Sequence, residues 1–358
     1  MLSVTKSYLP PLEDYISYLQ QIWSSHELTN GSRLSKLLEE RLKKFLNVRH
    51  FLYTGNGTIS LQIAIKALAL KKEIMTTPFS YVATSNSILW EHCKPKFVDI
   101  EKHSFGIDAS LIEKSIGPDT EAILGVHVYG YPCDVDGIQD VASKHGLKVI
   151  YDGAHAMGVQ YRGKSLLSYG DISTLSFHAT KAFHTAEGGA VITHSDELAE
   201  RMSLLRNFGH RSDQYLSEGI NAKNSEFHAA LGLCNLDHFA ENTKIRKHIF
   251  ELYNQQLEGL PLRILNPNSD LEYNYSYYVL VFESEPQLLK SMKLLALQSV
   301  FPRRYFFPSL NTLSFYEPQS CPVSEDFARR VLCLPLSVYL TEAQVETVCT
   351  TLKKSFSL

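Results

Sequence analysis

"SFHATKAFHTAEGGA", Ser176–Ala190, packs two histidines, a lysine, two threonines and an acid between a strand-like run, "STLSFH", and a return that opens on a glycine pair, "EGGAVITH". A strand that ends in reactive side chains and is followed by a second strand lifts those groups into a cleft at the sheet edge. Outward from it, the chain between about Arg49 and His194 repeats the same rhythm. Short β-branched or aromatic runs ("HFLYTG", "EIMTTP", "KFVDI", "AILGVHVYG", "KVIYDGA") alternate with helical patterns. "TISLQIAIKALAL" has good helix formers with an apolar face, and "DVDGIQDVASKHG" opens with Asp and closes with Gly. This order predicts an α/β fold, a mainly parallel sheet flanked by helices, with ligands at the strand C-terminal ends.

The rest of the chain reads as an appendage. A helix is predicted from near Ser225 through "ENTKIRKHIFELYNQQLEG", leading into the strand-like "YSYYVLVFE", the helical "PQLLKSMKLLALQ" and a last helix, "TEAQVETVCTTLKK". Residues 1–240 are read as a large domain, whose N-terminal helices pack near the second. Residues 241–358 are read as the linking helix and a small α+β domain. A net charge of −3 with scattered Lys and Arg gives no electrostatic footprint for nucleic acid or an anionic membrane. Six cysteines without a CxxC pair point to free thiols in a reducing, cytoplasmic compartment. No signal peptide and no membrane span is expected.

Two chemistries compete for the opening stretch. His178 and His184 lie six residues apart, a spacing that is not HExxH and fixes no common point for a metal, so no metal site is expected. Lys181 is the alternative: a desolvated lysine amine at a strand end is a nucleophile toward an aldehyde. Asp152, directly after "KVIY", suits the nitrogen of a pyridinium ring, although many strand-end aspartates only cap helices. "TGNGT" places Gly55, Gly57 and Thr58 at a helix N-terminus, a phosphate cradle without Walker or dinucleotide spacing. Ser176 adds a hydroxyl, and Tyr81 a face for stacking. Cradle, aromatic, aspartate and lysine occur in the chain order that pyridoxal 5'-phosphate needs on such a sheet.

Nearly end to end, the chain also resembles the DegT/DnrJ/StrS sugar-nucleotide aminotransferases, fold type I pyridoxal-phosphate enzymes. The stretches that carry the resemblance include "GNGTISL", "PFSYVATSNSI", "VHVYGYPCDVDGI", "KHGLKVIYDGAHAMG", "GDISTLSFHATK" and "GINAKNSEFHAALG". It implies that Lys181 forms the Schiff base and that Asp152 partners the ring nitrogen. It further implies His155 beside the phenolic oxygen, Tyr81 over the ring, and Gly57, Thr58 and Ser176 on the phosphate. Asn221 would reach the cofactor phosphate of a neighbouring subunit, which implies a homodimer with shared active sites. Two positions depart from the family: Asn56 stands for a common serine, and Lys223 for a frequent arginine.

The resemblance is strongest to the branch acting on dTDP-keto-6-deoxyhexoses. It implies transfer of the glutamate amino group to dTDP-4-keto-6-deoxyglucose, giving dTDP-4-amino-4,6-dideoxyglucose for polysaccharide (O-antigen) or antibiotic sugars. The 3-keto sugar, a dehydratase and a non-catalytic regulator are the alternatives. Lys181 speaks against the dehydratase, whose family members carry histidine there. In "SVFPRRYFFPSLN", Arg303 and Arg304 offer charge for a diphosphate and Tyr305 a face for base or sugar. His184 is a further candidate for facing the sugar.

Overall fold

The computed structural model describes residues 1–357. All seven strand-like runs fall in one sheet: β1 (His50–Thr54), β2 (Glu73–Thr76), β3 (Lys94–Phe97), β4 (Thr120–Val126), β5 (Lys148–Asp152), β6 (Ile172–Ser176) and β7 (Gly189–Thr193). Their spatial order is β1-β7-β6-β5-β4-β2-β3. β7 runs antiparallel to both β1 and β6, and every other pair is parallel. Helices carry the connections between successive parallel strands except from β5 to β6, where a short hairpin (Gln160–Tyr161 with Lys164–Ser165) and one 3-10 turn (Leu166–Ser168) make the crossover. β4 is buried from Ala122 to Val126, because helices cover both faces of the sheet.

Local chemistry sets the element ends that matter for function. Asn56, in the extended region, accepts the Ile59 N–H at 2.8 Å and starts the helix α1 (Gly57–Ala67) directly after β1. The expected helix after Asp134 forms over Val135–His145, with the Asp134 carboxylate on the Gly137 N–H and Gly146 left-handed at its end. One run ends early. "KFVDI" was expected to be strand throughout, yet β3 stops at Phe97. Asp99 turns aside to accept the Val323 and Ser324 N–H groups, each at 2.8 Å, and so caps the helix Pro322–Arg330.

The helix that begins after Ser225 spans Glu226–Leu257 without a break, so it runs straight through positions 240 and 241. Beyond it, Leu262–Ile264, Tyr278–Phe282 and Val331–Leu334 form an antiparallel three-stranded sheet. Helices Glu285–Leu297 and Glu342–Ser357 pack on each other beside it. Residues 2–8 act as a strap across the molecule. Leu2 and Ser3 pair with Val300 and Phe301, the Val4 carbonyl accepts the Leu336 N–H, and the Tyr8 carbonyl meets the His184 ring.

Candidate active site

The C-terminal ends of β1, β5 and β6 converge because β7 separates β1 from β6 with glycine at the critical register. Gly189 lies opposite both Thr54 and Ser176. A Cβ there would sit 2.5 Å from the Asn56 carbonyl group, so only glycine lets the turn after β1 lean across β7. Gly57 then rests on Ser176: a Cβ on Gly57 would lie 2.8 Å from the Ser176 Cβ. The first amides of α1, the exposed Thr58 and the half-buried Ser176 thus meet at one corner, where unpaired helix N-terminal amides and two hydroxyls have the chemistry to suit an anion. The Ala222 carbonyl accepts the Gly55 N–H at 2.8 Å and brings Asn221, exposed, beside the same turn.

Asp152 ends β5 and is 6% exposed. Its two oxygens are held separately, Oδ2 by the Thr84 hydroxyl at 2.7 Å and Oδ1 by the Ala154 N–H at 3.0 Å. The Thr84 oxygen pairs in turn with the Ser80 hydroxyl at 2.7 Å. Since the Thr84 proton goes to Asp152, Ser80 is the donor in that second link. The carboxylate is therefore aimed before any ligand arrives.

Lys181 lies in the loop that joins β6 to β7, its N–H on the His178 carbonyl at 2.9 Å. Part of its surface stays accessible, but its amine is desolvated, which pushes its pKa from 10.5 down to about 8 against an upward pull from Asp152. That drop raises the uncharged fraction at pH 7 roughly 300-fold. His155, Asn274, Ser276 and Tyr277 line a recess together with Lys181. Burial, and then the charge of Lys181, holds the His155 pKa well below its usual value. The His155 Nδ1 accepts the Tyr129 N–H at 3.1 Å, so the proton of the neutral ring is on Nε2.

A second cleft, of about 730 Å³, adjoins this one and is lined by Tyr81, Asn86, Arg303, Tyr305, Phe306 and Phe315, among others. Tyr81 is 64% exposed, open to a planar ligand. Arg303 is exposed and has no ion-pair partner among the described residues. Arg304, also on the cleft, differs from expectation. Its Nη2 donates to Glu285 at 2.6 Å and to the Arg329 carbonyl at 3.1 Å, and the guanidinium lies over the Phe307 ring. Its charge is already spoken for.

His184 is corrected as a sugar-facing residue. It is 2% exposed, its Nε2 meets the Tyr8 carbonyl at 2.7 Å, and its Nδ1 accepts the Ala186 N–H at 3.2 Å. Neither nitrogen is left for a ligand. His178 instead lies at the surface, bonded to Thr180 and 3.7 Å from Glu187. Sequence reasoning passed over Thr84, Tyr129 and Tyr277. Thr84 stands in "SYVATSN", where no spacing or composition marks it as the partner of an aspartate 68 residues away.

A family model for the DegT/DnrJ/EryC1/StrS aminotransferases matches residues 12–353. The chain belongs to this family. Aminotransferases of this family depend on pyridoxal 5'-phosphate. The cradle closed by Gly57 and Ser176, the desolvated amine and the pre-aimed carboxylate fit that cofactor. This aminotransferase is 40% identical, over 98% of both chains, to a dTDP-4-amino-4,6-dideoxy-D-glucose transaminase of Shigella dysenteriae. It is 38% identical, over 95% of both, to the enzyme of that name from Escherichia coli. Among solved structures it matches DesI, crystallised in the presence of its TDP-sugar product. The TM-score is 0.94 at 31% identity, covering 99% of this chain and 92% of that one.

Proposed function

We propose that this aminotransferase moves the amino group of glutamate to C4 of dTDP-4-keto-6-deoxyglucose, forming dTDP-4-amino-4,6-dideoxyglucose. The observation that carries this reading is the Lys181 amine, whose desolvation makes its uncharged, nucleophilic form far more accessible near neutral pH, in one recess with neutral His155 and beside a cleft of nucleotide-sugar size. The two relatives that bear the name of this activity support the choice of sugar.

The cofactor, bound, supplies an aldehyde and an electron-accepting ring. Gly57, Thr58 and Ser176 hold its phosphate, and Asp152, braced by Thr84 and the Ala154 amide, keeps a proton on its ring nitrogen. His155 offers a donor at Nε2, because Tyr129 occupies Nδ1. Lys181 first acts as nucleophile. Once displaced, its Nζ takes the proton from Cα of glutamate and, in the second half of the reaction, delivers one to C4 of the sugar. Tyr81 covers the ring, Arg303 meets the diphosphate, and Tyr305 packs on the base or sugar.

A second copy of the chain completes the site in this reading. Asn221 and Tyr81 are exposed, as are the apolar Trp90, Phe208, Leu216 and Ile220, and a partner covers them. The six cysteines, free and buried, suit the cytoplasm, where we place the enzyme. As a test, the purified protein is incubated with glutamate and a panel of dTDP-, UDP- and GDP-linked keto sugars, with products read by mass spectrometry. Amination of the dTDP-4-keto sugar is expected; turnover of a GDP sugar alone refutes the nucleotide.

A further inference from the structure

Tyr129 is a buried residue for which the reaction as described has no use beyond one amide. It lies in the turn Val128–Gly130 after β4, in the left-handed region at φ 57°, ψ 8°. All of its polar groups are engaged, and each reaches a different part of the molecule. The N–H donates to the His155 Nδ1 at 3.1 Å, the carbonyl accepts the Tyr273 hydroxyl at 2.8 Å, and the phenol donates to the Tyr305 carbonyl. The next residue, Gly130, has φ 92°, and a Cβ on it would come within 2.8 Å of the His155 carbonyl oxygen. The turn is therefore pressed against His155.

The aromatic rings repeat this connection. Phe306 is parallel to both Tyr129 and His155, with centroids 6.0 Å apart in each case and planes within 6°. Tyr305 and Phe306 belong to the wall of the larger cleft, while His155 belongs to the recess of Lys181. The His155 Nε2 has no protein partner among the described residues, so its orientation depends on what grips the other edge of the ring.

We propose that Tyr129 is a positioning residue that ties the aromatic wall of the sugar cleft to His155, its phenol pinning the Tyr305 carbonyl while its amide sets the tautomer and angle of the His155 ring. This rests on the reading that Lys181 and His155 flank the cofactor. Groups that face His155 are Lys181 on the lysine loop, the Tyr277 ring at 4.9 Å and Tyr129 itself. The phenol, not the ring, makes the link to Tyr305. Tyr129→Phe therefore removes it while keeping the buried aromatic volume.

The test is a pH titration of the visible absorption band of the cofactor-loaded enzyme in wild type, Y129F, H155N and the double variant, with thermal melting as a check on folding. A donor at the cofactor's phenolic edge favours the deprotonated chromophore, so loosening His155 moves the midpoint to higher pH. In Y129F the expected rise is about 0.5 pH unit, the size of one weakened hydrogen bond. In the H155N background the same change is expected to have no effect, because Tyr129 acts through His155. Additive shifts, or an unmoved midpoint in Y129F, overturn the proposal and leave the cofactor reading intact. A wild type without a titrating visible band overturns both.

Discussion

Replacing Thr84 with valine keeps the shape of the side chain and exchanges its hydroxyl, which carries the donor proton to Asp152, for a methyl group. That proton is half of what aims Asp152: the carboxylate, 6% exposed, has the Thr84 hydroxyl on one oxygen at 2.7 Å and the Ala154 amide on the other at 3.0 Å. A hydrogen bond to a charged acceptor is worth about 1.5–3 kcal/mol net. At about 1.4 kcal/mol per factor of ten, losing it costs on the order of 10- to 100-fold in any step that needs the carboxylate at full strength. The assay is the half-reaction with glutamate, followed in single turnover by the change in cofactor absorbance. Thr84→Ser keeps the donor and is expected to stay within about threefold of wild type. Asp152→Asn alone and Asp152→Asn with Thr84→Val are expected to be equally slow, since the threonine acts only through the acid. A Thr84→Val enzyme within twofold of wild type refutes the bracing of Asp152.

Further outcomes follow from the same geometry. Capture of pyridoxal phosphate by the apo-protein, timed by stopped flow, is expected to accelerate with rising pH through a midpoint near 8 and not near 10.5, because the nucleophile is the uncharged form of a desolvated Lys181. Arg303→Ala is expected to raise KM for the nucleotide sugar about tenfold at unchanged melting temperature. Arg304→Ala, which breaks a pair with Glu285, is expected to lower the melting temperature by a few degrees. His184→Ala is expected to destabilise the fold by about 1–3 kcal/mol in urea titrations and to leave KM for the sugar unchanged.

The sheet was legible because each strand is a short β-branched or aromatic run set off by turn residues, and so was the placement of Asp152 at the end of one such run and of Lys181 in the loop just beyond another. What escaped was contact between distant segments. "KFVDI" has the composition of a strand to its end, but Asp99 caps a helix more than two hundred residues later, and nothing near it says so. His184 has the credentials of a ligand-facing group until the strap residue Tyr8, 176 positions earlier, closes its Nε2. Arg304 reads like its neighbour Arg303, and only the packing of Glu285 and Phe307 separates their roles.

The strap formed by residues 2–8 touches both sides of the reaction cleft. Its first residues pair in parallel with Val300 and Phe301, directly before Pro302 and Arg303 of the cleft wall, and its last carbonyl holds the loop that carries Lys181. A bulky fusion or a proteolytic cut at this far end of the sequence therefore acts at the centre of the molecule. Handles for purification or immobilisation belong elsewhere on this chain, and loss of activity after such a change reports a slackened cleft, not damage to any residue that performs chemistry.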